Sequence, residues 1–407
     1  MLSFLKTKIN TDEKEIDLLL SRGVERIFPN KDYLKSKMMK GERLTLYLGI
    51  DPTGPTLHLG HLIPLLKLSK FQKMGHKIIL LMGDFTAMIG DPTDKTATRK
   101  KLTRQEVLNN LKNYKVQASK FINFSGGNRA EFMFNSKWHD KMTFSDVLEL
   151  SSNFTVQQML EREMFDLRMK EGKPINLSEF MYPLMQGYDS VAMDVDGEIG
   201  GNDQTWNMLA GRDLMKTIKN KEKFVFATKL LVDSSGKKMG KTENNMVSLD
   251  QSPEEMFGKV MSWSDEMIIP GLEIITDVPS ADIDQIKEAL SSGKNPRDYK
   301  VFLAKELVTL CHGEDKAKKA EEVFDLTFSK GGVPEDVLEV SVASGTKLCE
   351  ILMINQIVIS KSEFRRLCME GAITNTTTED KISNPEEEVL NGTYKIGKRR
   401  FIKINVI

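Results

Sequence analysis

The stretch from Leu44 to Phe85 limits the possible folds more than any other part of the chain. "LTLYLGID" (44–51) is an apolar run of strand length that ends in turn chemistry, "DPTGPT". Leu62, Leu65, Leu66, Leu68 and Phe71 then recur at helical spacing as far as Gly75. Pro64 is expected near the first turn of that helix, where its missing N–H costs little. "KIILLMGDF" (77–85) is a second apolar strand. Strand, glycine-bearing turn, helix and strand make a βαβ unit, which requires parallel neighbours and hence an open parallel sheet.

The remaining chain extends this α/β pattern and then leaves it. "GEIGGNDQ" (197–204) closes a short segment and opens the helix "TWNMLAGRDLMKTI", and "FVFATKLLV" (224–232) reads as another strand. Residues 1–245 are therefore expected to form one α/β domain, with a mostly helical insertion at about 92–190 between its halves. Residues 246–335 carry the helical segments "SPEEMFGKVMSW", "SADIDQIKEALSSG" and "RDYKVFLAKELVTLCHG". Beyond the loop "KGGVPED", residues 340–407 read as two short amphipathic helices followed by strand-like "TYKIGKRRFIKINVI". A chain of 407 residues exceeds one ordinary core, which agrees with two or three domains.

Composition excludes some function classes. No apolar run approaches the roughly 20 residues of a membrane span. The opening "MLSFLKTKINTDEKE" turns charged before a signal-peptide core develops, so a cytoplasmic location is expected. Cys311, Cys349 and Cys368 form no CxxC pair, which points away from a disulfide framework and from a cysteine zinc site. The formal net charge of zero argues against broad electrostatic adhesion to nucleic acid, while leaving room for a local basic patch.

Four stretches carry candidate chemistry. "GIDPTGPTLHLGH" lies where a strand ends and a helix begins, the usual ligand position of an open α/β sheet. Gly49 and Gly60 let backbone approach a ligand, and the helix start beside His58 and His61 favours a phosphate. A zinc reading needs a third ligand, and only Asp51 is near; turn histidines without a role are the other alternative. "SGKKMGKTENN" (235–245) resembles a phosphate-binding P-loop but has one residue too few between Gly236 and Gly240. Its Lys237, Lys238 and Lys241 suit a flap over a polyphosphate, or a solvated surface loop. In "EFMYPLMQGYDSVAMD" (179–194), Tyr182, Gln186 and Asp189 share one helical face, which turns either to solvent or to a polar ligand. "MIGDPTDKTATRKK" (88–101) offers Asp91 at a strand end, then Lys95 and Arg99, for an amine and phosphates or as a charged loop.

In combination and order these stretches resemble a known family. HLGH after a first strand, GGNDQ before a helix and KMGKT after a last strand are similar to the HIGH and KMSKS signatures of class I aminoacyl-tRNA synthetases. "YLGIDPTGPTLHLGH", "GDFTAMIGDPT", "YPLMQGYD", "GGNDQ" and "KKMGKT" resemble the bacterial tyrosyl-tRNA synthetases in particular, and "SKSEFRRLCMEGAITN…GKRRF" resembles the S-four-type RNA-binding fold that ends them. The resemblance covers nearly the whole chain. It implies a Rossmann-like parallel-sheet catalytic domain with helical insertion (1–245), a helical anticodon-binding domain (246–335) and a small α+β S-four-type RNA-binding domain (340–407).

The resemblance also implies residue roles. Tyr47 and Asp189 match the pair that recognises the tyrosine hydroxyl. Asp91, Tyr182 and Gln186 match residues that hold the amino group and orient the substrate, and Gln204 and the backbone at Gly49 complete that pocket. Asp51, Gly60, Gly201 and Asp203 match ATP-binding positions. Thr53, His58 and His61 sit where the family contacts the triphosphate, and Lys95, Arg99, Lys238 and Lys241 where it steadies the leaving pyrophosphate. The expected reaction joins tyrosine to ATP, with Mg2+ on the phosphates, and then transfers the tyrosyl group to tRNA(Tyr). Arg365, Arg366, Lys398, Arg399 and Arg400, with Lys395 and Lys403 nearby, are the expected tRNA contacts, and a homodimer is expected. Leu59 replaces an isoleucine of the first signature, Gly240 and Thr242 replace two serines of the second, and Asn202 stands where a small hydroxyl residue is common. None of these changes removes a charged group that the chemistry needs. A tryptophan-specific relative, a non-catalytic RNA-binding protein on the same scaffold and a metal-dependent hydrolase are the rival readings. The pair Tyr47 and Asp189 argues against the first, and the intact His58, His61, Lys238 and Lys241 against the second.

Overall fold

The computed structural model describes residues 8–91, 101–232, 236, 246–328, 337–397 and 400–407. By compactness the chain divides into Met1–Cys311 and His312–Ile407.

The first unit is built on a six-stranded sheet. Its strands are β1 (Val24–Phe28), β2 (Thr45–Ile50), β3 (Lys77–Met82), β4 (Glu131–Phe134), β5 (Gly197–Gly201) and β6 (Phe224–Thr228). They lie in the order β1-β6-β5-β2-β3-β4. β2 and β3 run parallel in register from Thr45 opposite Lys77 to Ile50 opposite Met82. β5 joins β2 and β6 in parallel, and β4 joins β3 in parallel. The central strands "TLYLGI" and "KIILLM" are covered on both faces, which is why they read as continuous apolar runs.

Two features depart from the sequence expectation. β1 pairs antiparallel with β6, so the sheet is mixed rather than wholly parallel. β4 lies inside the stretch read as a mostly helical insertion, and gives the sheet its far edge before the chain turns helical. Both are short edge strands with half-exposed residues, and such strands lack the run of buried side chains that marks a central one.

Helix Leu59–Lys73 follows β2 and begins earlier than expected, with His58 as its N-cap. Pro64 consequently lies inside the helix rather than in its first turn. Helices Leu177–Met193 and Thr205–Lys219 pack against each other at two glycines. A Cβ on Gly187 would stand 2.8 Å from Leu214 Cδ1 and 3.2 Å from the Gly211 nitrogen, so only glycine permits this crossing. Leu184, Val191, Leu214 and Met215 fill the space around it.

The helices Pro253–Met261, Ile268–Ile275, Ser280–Ser291 and Pro296–His312 group with the sheet. Arg22 ties them to the N-terminal segment by donating to the carbonyls of Leu272 (2.9 Å), Glu273 (3.0 Å) and Val278 (2.5 Å).

The second unit contains helix Glu314–Phe328 and an α+β fold. Its sheet runs β7 (Leu338–Val342), β10 (Arg400–Val406), β9 (Gly392–Ile396), β8 (Ile373–Asn375). β10 is parallel to β7 and antiparallel to β9. Helices Leu348–Ile354 and Lys361–Met369 share its core, built on Leu352, Phe364, Ile373, Tyr394, Ile402 and Ile404. Among the described residues no helix is long and apolar enough to cross a membrane.

Candidate active site at the crossover of the sheet

The winding of the sheet creates the site. From β2 the chain moves outward to β3 and β4, then returns past β2 to β5 and β6. Ligands settle outside the carboxyl ends of β2 and β5, where the winding reverses. A cavity of about 240 Å³ opens at this place. Tyr47, Gly49, Asp51, His58, Gly60, His61, Asp91, Tyr182, Gln186, Asp189, Gly201, Asp203 and Gln204 all line it. Residues separated by up to 157 positions in the sequence are thus brought to one cleft, from Tyr47 on β2 to Gln204 after β5. Thr53 is exposed on the loop after β2 and is not on the cavity wall. Lys95, Arg99, Lys238, Lys241, Lys398 and Arg399 lie outside the described residues.

The two histidines form an unusual helix cap. His58 Nδ1 accepts from the Gly60 N–H at 3.1 Å, and His61 Nδ1 accepts from the His58 N–H at 3.2 Å. The rings lie 3.9 Å apart, tilted by 40°. Because each Nδ1 accepts, each neutral ring carries its proton on Nε2 as a donor. Donors at a helix N-terminus favour an anion. The cap is also tied to the far side of the second signature: Leu59 N–H donates to the Val247 carbonyl at 3.1 Å, and Leu249 N–H to the Leu57 carbonyl at 2.9 Å. Backbone pairing therefore holds residues 247–249 against the histidine turn. Among the described residues no group of three His, Cys, Asp or Glu is placed to hold a metal ion.

At the floor of the cleft stand Tyr47 and Asp189, 0% and 3% exposed. Asp189 Oδ1 accepts from Trp138 Nε1 at 2.7 Å and from His139 Nε2 at 2.8 Å. Oδ2 accepts only from Asn135 Nδ2, at a long 3.3 Å, among the described residues. Burial pushes the Asp189 carboxyl above its ordinary range, against the pull of those donors. Since a carboxylate only accepts, His139 carries its proton on Nε2; its buried Nδ1 has no hydrogen-bond partner among the described residues. Tyr47 Oη is 3.0 Å from Ser190 Oγ. Burial, and then the charges of Glu198 and Asp189, raise the Tyr47 phenol well above its usual value, so it stays protonated.

Midway along the wall, Asp51 accepts from Thr86 Oγ1 at 2.7 Å and from Tyr182 Oη at 2.9 Å. Burial lifts its pKa to about 7, the two donors opposing. Its seat depends on Gly83, where a Cβ would lie 1.9 Å from Asp51 Oδ1. Gln186 Nε2 donates to Glu198 Oε1 at 3.0 Å, and Gln204 Nε2 to Asp91 Oδ2 at 2.7 Å. The buried Arg162 guanidinium stacks 5.0 Å from the Trp206 ring and approaches Asp91 Oδ1 at 3.8 Å. The helical face carrying Tyr182, Gln186 and Asp189 therefore turns to the cleft and not to solvent.

Several of these residues carry no motif in the sequence. Asn135, Trp138 and His139 sit beside the short edge strand β4, and Ser190, Glu198 and Lys223 read as ordinary helix or strand positions. Only the sheet order, which sets β4 and helix Leu177–Met193 side by side, reveals them. In the second unit, Arg366 pairs with Glu370 at 2.9 Å, whereas Arg400 pairs with Glu363 at 2.9 Å and also donates to the Ile357 carbonyl.

The family model described as tRNA synthetases class I (W and Y) matches residues 39–329. A tyrosine–tRNA ligase of Carboxydothermus hydrogenoformans is 42% identical over 403 residues, covering 95% of this chain and 96% of that one. One from Haemophilus influenzae is 40% identical, covering 98% of each. Among solved structures, a C-terminally truncated mitochondrial tyrosyl-tRNA synthetase of Coccidioides posadasii superposes with a TM-score of 0.61 at 27% identity, over 76% of this chain and 91% of that one. The Archaeoglobus fulgidus tyrosyl-tRNA synthetase complexed with L-tyrosine shares the fold with a TM-score of 0.59 at 22% identity, over 76% of this chain and all of that one. A cleft at the sheet crossover, a histidine-capped helix mouth and near-full-length identity to such relatives agree: the chain belongs to the class I tRNA synthetases, and within them to the tyrosine–tRNA ligases.

Proposed function

We propose that the crossover cleft binds tyrosine and ATP side by side and joins them as tyrosyl-adenylate, with release of pyrophosphate. The observation that carries this reading is the polarity of the cavity from end to end. Its floor presents the Tyr47 phenol and the buried carboxylates of Asp189 and Glu198, its middle the further carboxylates of Asp51 and Asp91, and its mouth two imidazole donors at a helix N-terminus.

In this reading the substrate hydroxyl lies between Tyr47 and Asp189. Asp91, Tyr182 and Gln186 hold the ammonium group, with Gln204 fixing Asp91 and the backbone at Gly49 closing the pocket. Asp51, Gly60, Gly201 and Asp203 receive the nucleotide, and Thr53, His58 and His61 meet the phosphates. The tyrosine carboxylate is already ionised and needs no protein nucleophile, so the protein acts by positioning and by stabilising charge on the phosphates. Lys95, Arg99, Lys238 and Lys241 bring positive charge to the leaving pyrophosphate. Mg2+ carried on the ATP phosphates would neutralise part of their charge there. The terminal ribose of tRNA(Tyr) then attacks the adenylate.

The helical stretch 246–335 is assigned to the anticodon and residues 340–407 to an S-four-type RNA-binding domain, with Arg365, Arg366, Lys398, Arg399 and Arg400 as tRNA contacts. The domain limits follow this assignment: a catalytic domain over 1–245 with its insertion at about 92–190. A homodimer working in the cytoplasm completes the proposal.

Single-turnover formation of adenylate, with labelled tyrosine and ATP mixed with excess enzyme, tests it. His58→Ala, His61→Ala and Lys241→Ala should each slow that step at least tenfold while equilibrium tyrosine binding holds, by analogy with the loss of one charge-stabilising donor. An unchanged rate in all three would remove the phosphate clamp from the account.

A further inference from the structure

A fully buried lysine backs the hydroxyl end of the cleft. Lys223, which directly precedes β6, is 0% exposed. Its Nζ donates to Ser190 Oγ at 2.8 Å, to the Met208 carbonyl at 3.1 Å and to Glu198 Oε2 in a tight ion pair. Three acceptors engage the three N–H groups of an ammonium, which has no lone pair to offer in return. Space for it is made at the glycine crossing of the two helices: a Cβ on Gly211 would stand 2.6 Å from Lys223 Nζ and 2.9 Å from Ser190 Oγ.

The protons available fix a direction. Ser190 is also 0% exposed, and its Oγ accepts from Lys223. Its own proton then has Tyr47 Oη, 3.0 Å away, as acceptor. The reverse orientation would strand the serine proton in a buried space, which folded proteins avoid. Tyr47 Oη therefore accepts from Ser190 and keeps its own proton to donate; Glu198, hydrogen-bonded to Tyr47 on the same wall, holds that proton until a substrate hydroxyl competes for it. Across the cleft, Asp189 has Oδ1 filled by two donors, while Oδ2 carries, among the described residues, only the 3.3 Å contact from Asn135 and retains capacity to accept.

We propose that Lys223 and Ser190 are positioning residues for substrate specificity, setting the direction of a relay that runs Lys223 to Ser190 to Tyr47 to the substrate hydroxyl to Asp189 Oδ2. The inference rests on the assignment of Tyr47 and Asp189 to the substrate hydroxyl. A hydroxyl both accepts and donates, and so closes the relay. Phenylalanine leaves the Asp189 oxygen unmet and the Tyr47 proton on Glu198, although neither lysine nor serine touches the substrate.

Tyrosine- and phenylalanine-dependent ATP–pyrophosphate exchange, measured as kcat/KM on the full chain, tests the relay. Ser190→Ala buries no new charge and should fold. It is expected to lower kcat/KM for tyrosine about tenfold, the worth of one misdirected hydrogen bond, while the value for phenylalanine stays within about twofold. Lys223→Met should act in the same sense, and if it fails to fold, Ser190→Ala decides alone. A tyrosine-to-phenylalanine ratio unchanged from wild type in Ser190→Ala, or equal losses for both substrates, overturns the relay. Absence of tyrosine-dependent exchange in the wild-type protein would instead overturn the underlying assignment.

Discussion

Single side chains set the cleft's response to pH and to substitution. Asp51 accepts two hydrogen bonds and is built to be ionised, yet burial places its pKa at about 7. Below that value the protonated carboxyl presents a donor to donors. Activation of tyrosine should therefore rise as pH increases through about 7, and Asp51→Asn should flatten that limb of the kcat/KM profile. A limb of the same pKa in Asp51→Asn would assign it to another group. Asp189 behaves differently. Replacing it by alanine would strand the donors of Asn135, Trp138 and His139 in the interior. Asp189→Ala is thus expected to lose tyrosine activation and, in addition, about 2–4 kcal/mol of stability in a denaturant titration, because stranded buried donors are expensive. Asp189→Asn, which keeps the shape and part of the bonding, should lose less stability. Equal stability of the alanine variant and wild type would contradict the three-donor arrangement.

At the level of elements, helix Leu59–Lys73 does two tasks at its two ends. Its N-terminus carries the histidine cap. Nearer its C-terminus the buried Lys67 donates to the Leu19 and Arg22 carbonyls and so anchors the helix to the N-terminal segment. Burial lowers the Lys67 pKa to about 7 from 10.5. A neutral amine has two N–H groups, which matches those two acceptors. Between pH 7 and 10.5 the unfolded chain binds more protons at this site than the folded chain. Stability attributable to Lys67 must then rise with pH across that window, and the penalty for burying the ammonium is complete below about pH 7. The difference in melting temperature between wild type and Lys67→Met should accordingly shift in favour of wild type from pH 7.5 to 9.5. A difference that is flat over that range would show that Lys67 stays charged.

The elements also explain what the sequence does and does not disclose. β2, β3 and the helix between them announce themselves because buried parallel strands are continuous apolar runs. β1 and β4 are short edges and carry no such run. The motif residues Tyr47, Asp51, His58, His61 and Asp189 stand out as polar groups at strand ends or on an apolar helix. Asn135, Trp138 and His139 act on Asp189 across about 50 residues of chain, as their hydrogen-bond separations of 50 to 54 positions show. Lys223 meets Ser190 across 33. No local pattern encodes such pairings; the strand order does. The early start of helix Leu59–Lys73 was hidden for a related reason, since histidine is not among the usual N-caps.

For the whole molecule, in the proposed division of labour the first unit activates tyrosine at its crossover cleft, and Arg365 and Arg366 of the second unit contact the tRNA together with the helical stretch assigned to the anticodon. Arg365→Glu combined with Arg366→Glu should raise the KM for tRNA in aminoacylation roughly tenfold, through lost and reversed phosphate contacts, and should make that KM less sensitive to salt than in wild type. Tyrosine-dependent pyrophosphate exchange, which needs no tRNA, should be unchanged. Loss of exchange in that double variant would show that the second unit serves the activation step as well.

On the proposed reading the cleft selects tyrosine by its hydroxyl and joins it to ATP. ATP–pyrophosphate exchange by the purified wild-type chain, supplied in turn with tyrosine, phenylalanine and tryptophan at equal concentration, tests it most directly. Exchange is expected to be fast with tyrosine and to keep only a slow residual rate, far below that of tyrosine, with the other two. Exchange supported equally by phenylalanine, or better by tryptophan, would contradict it.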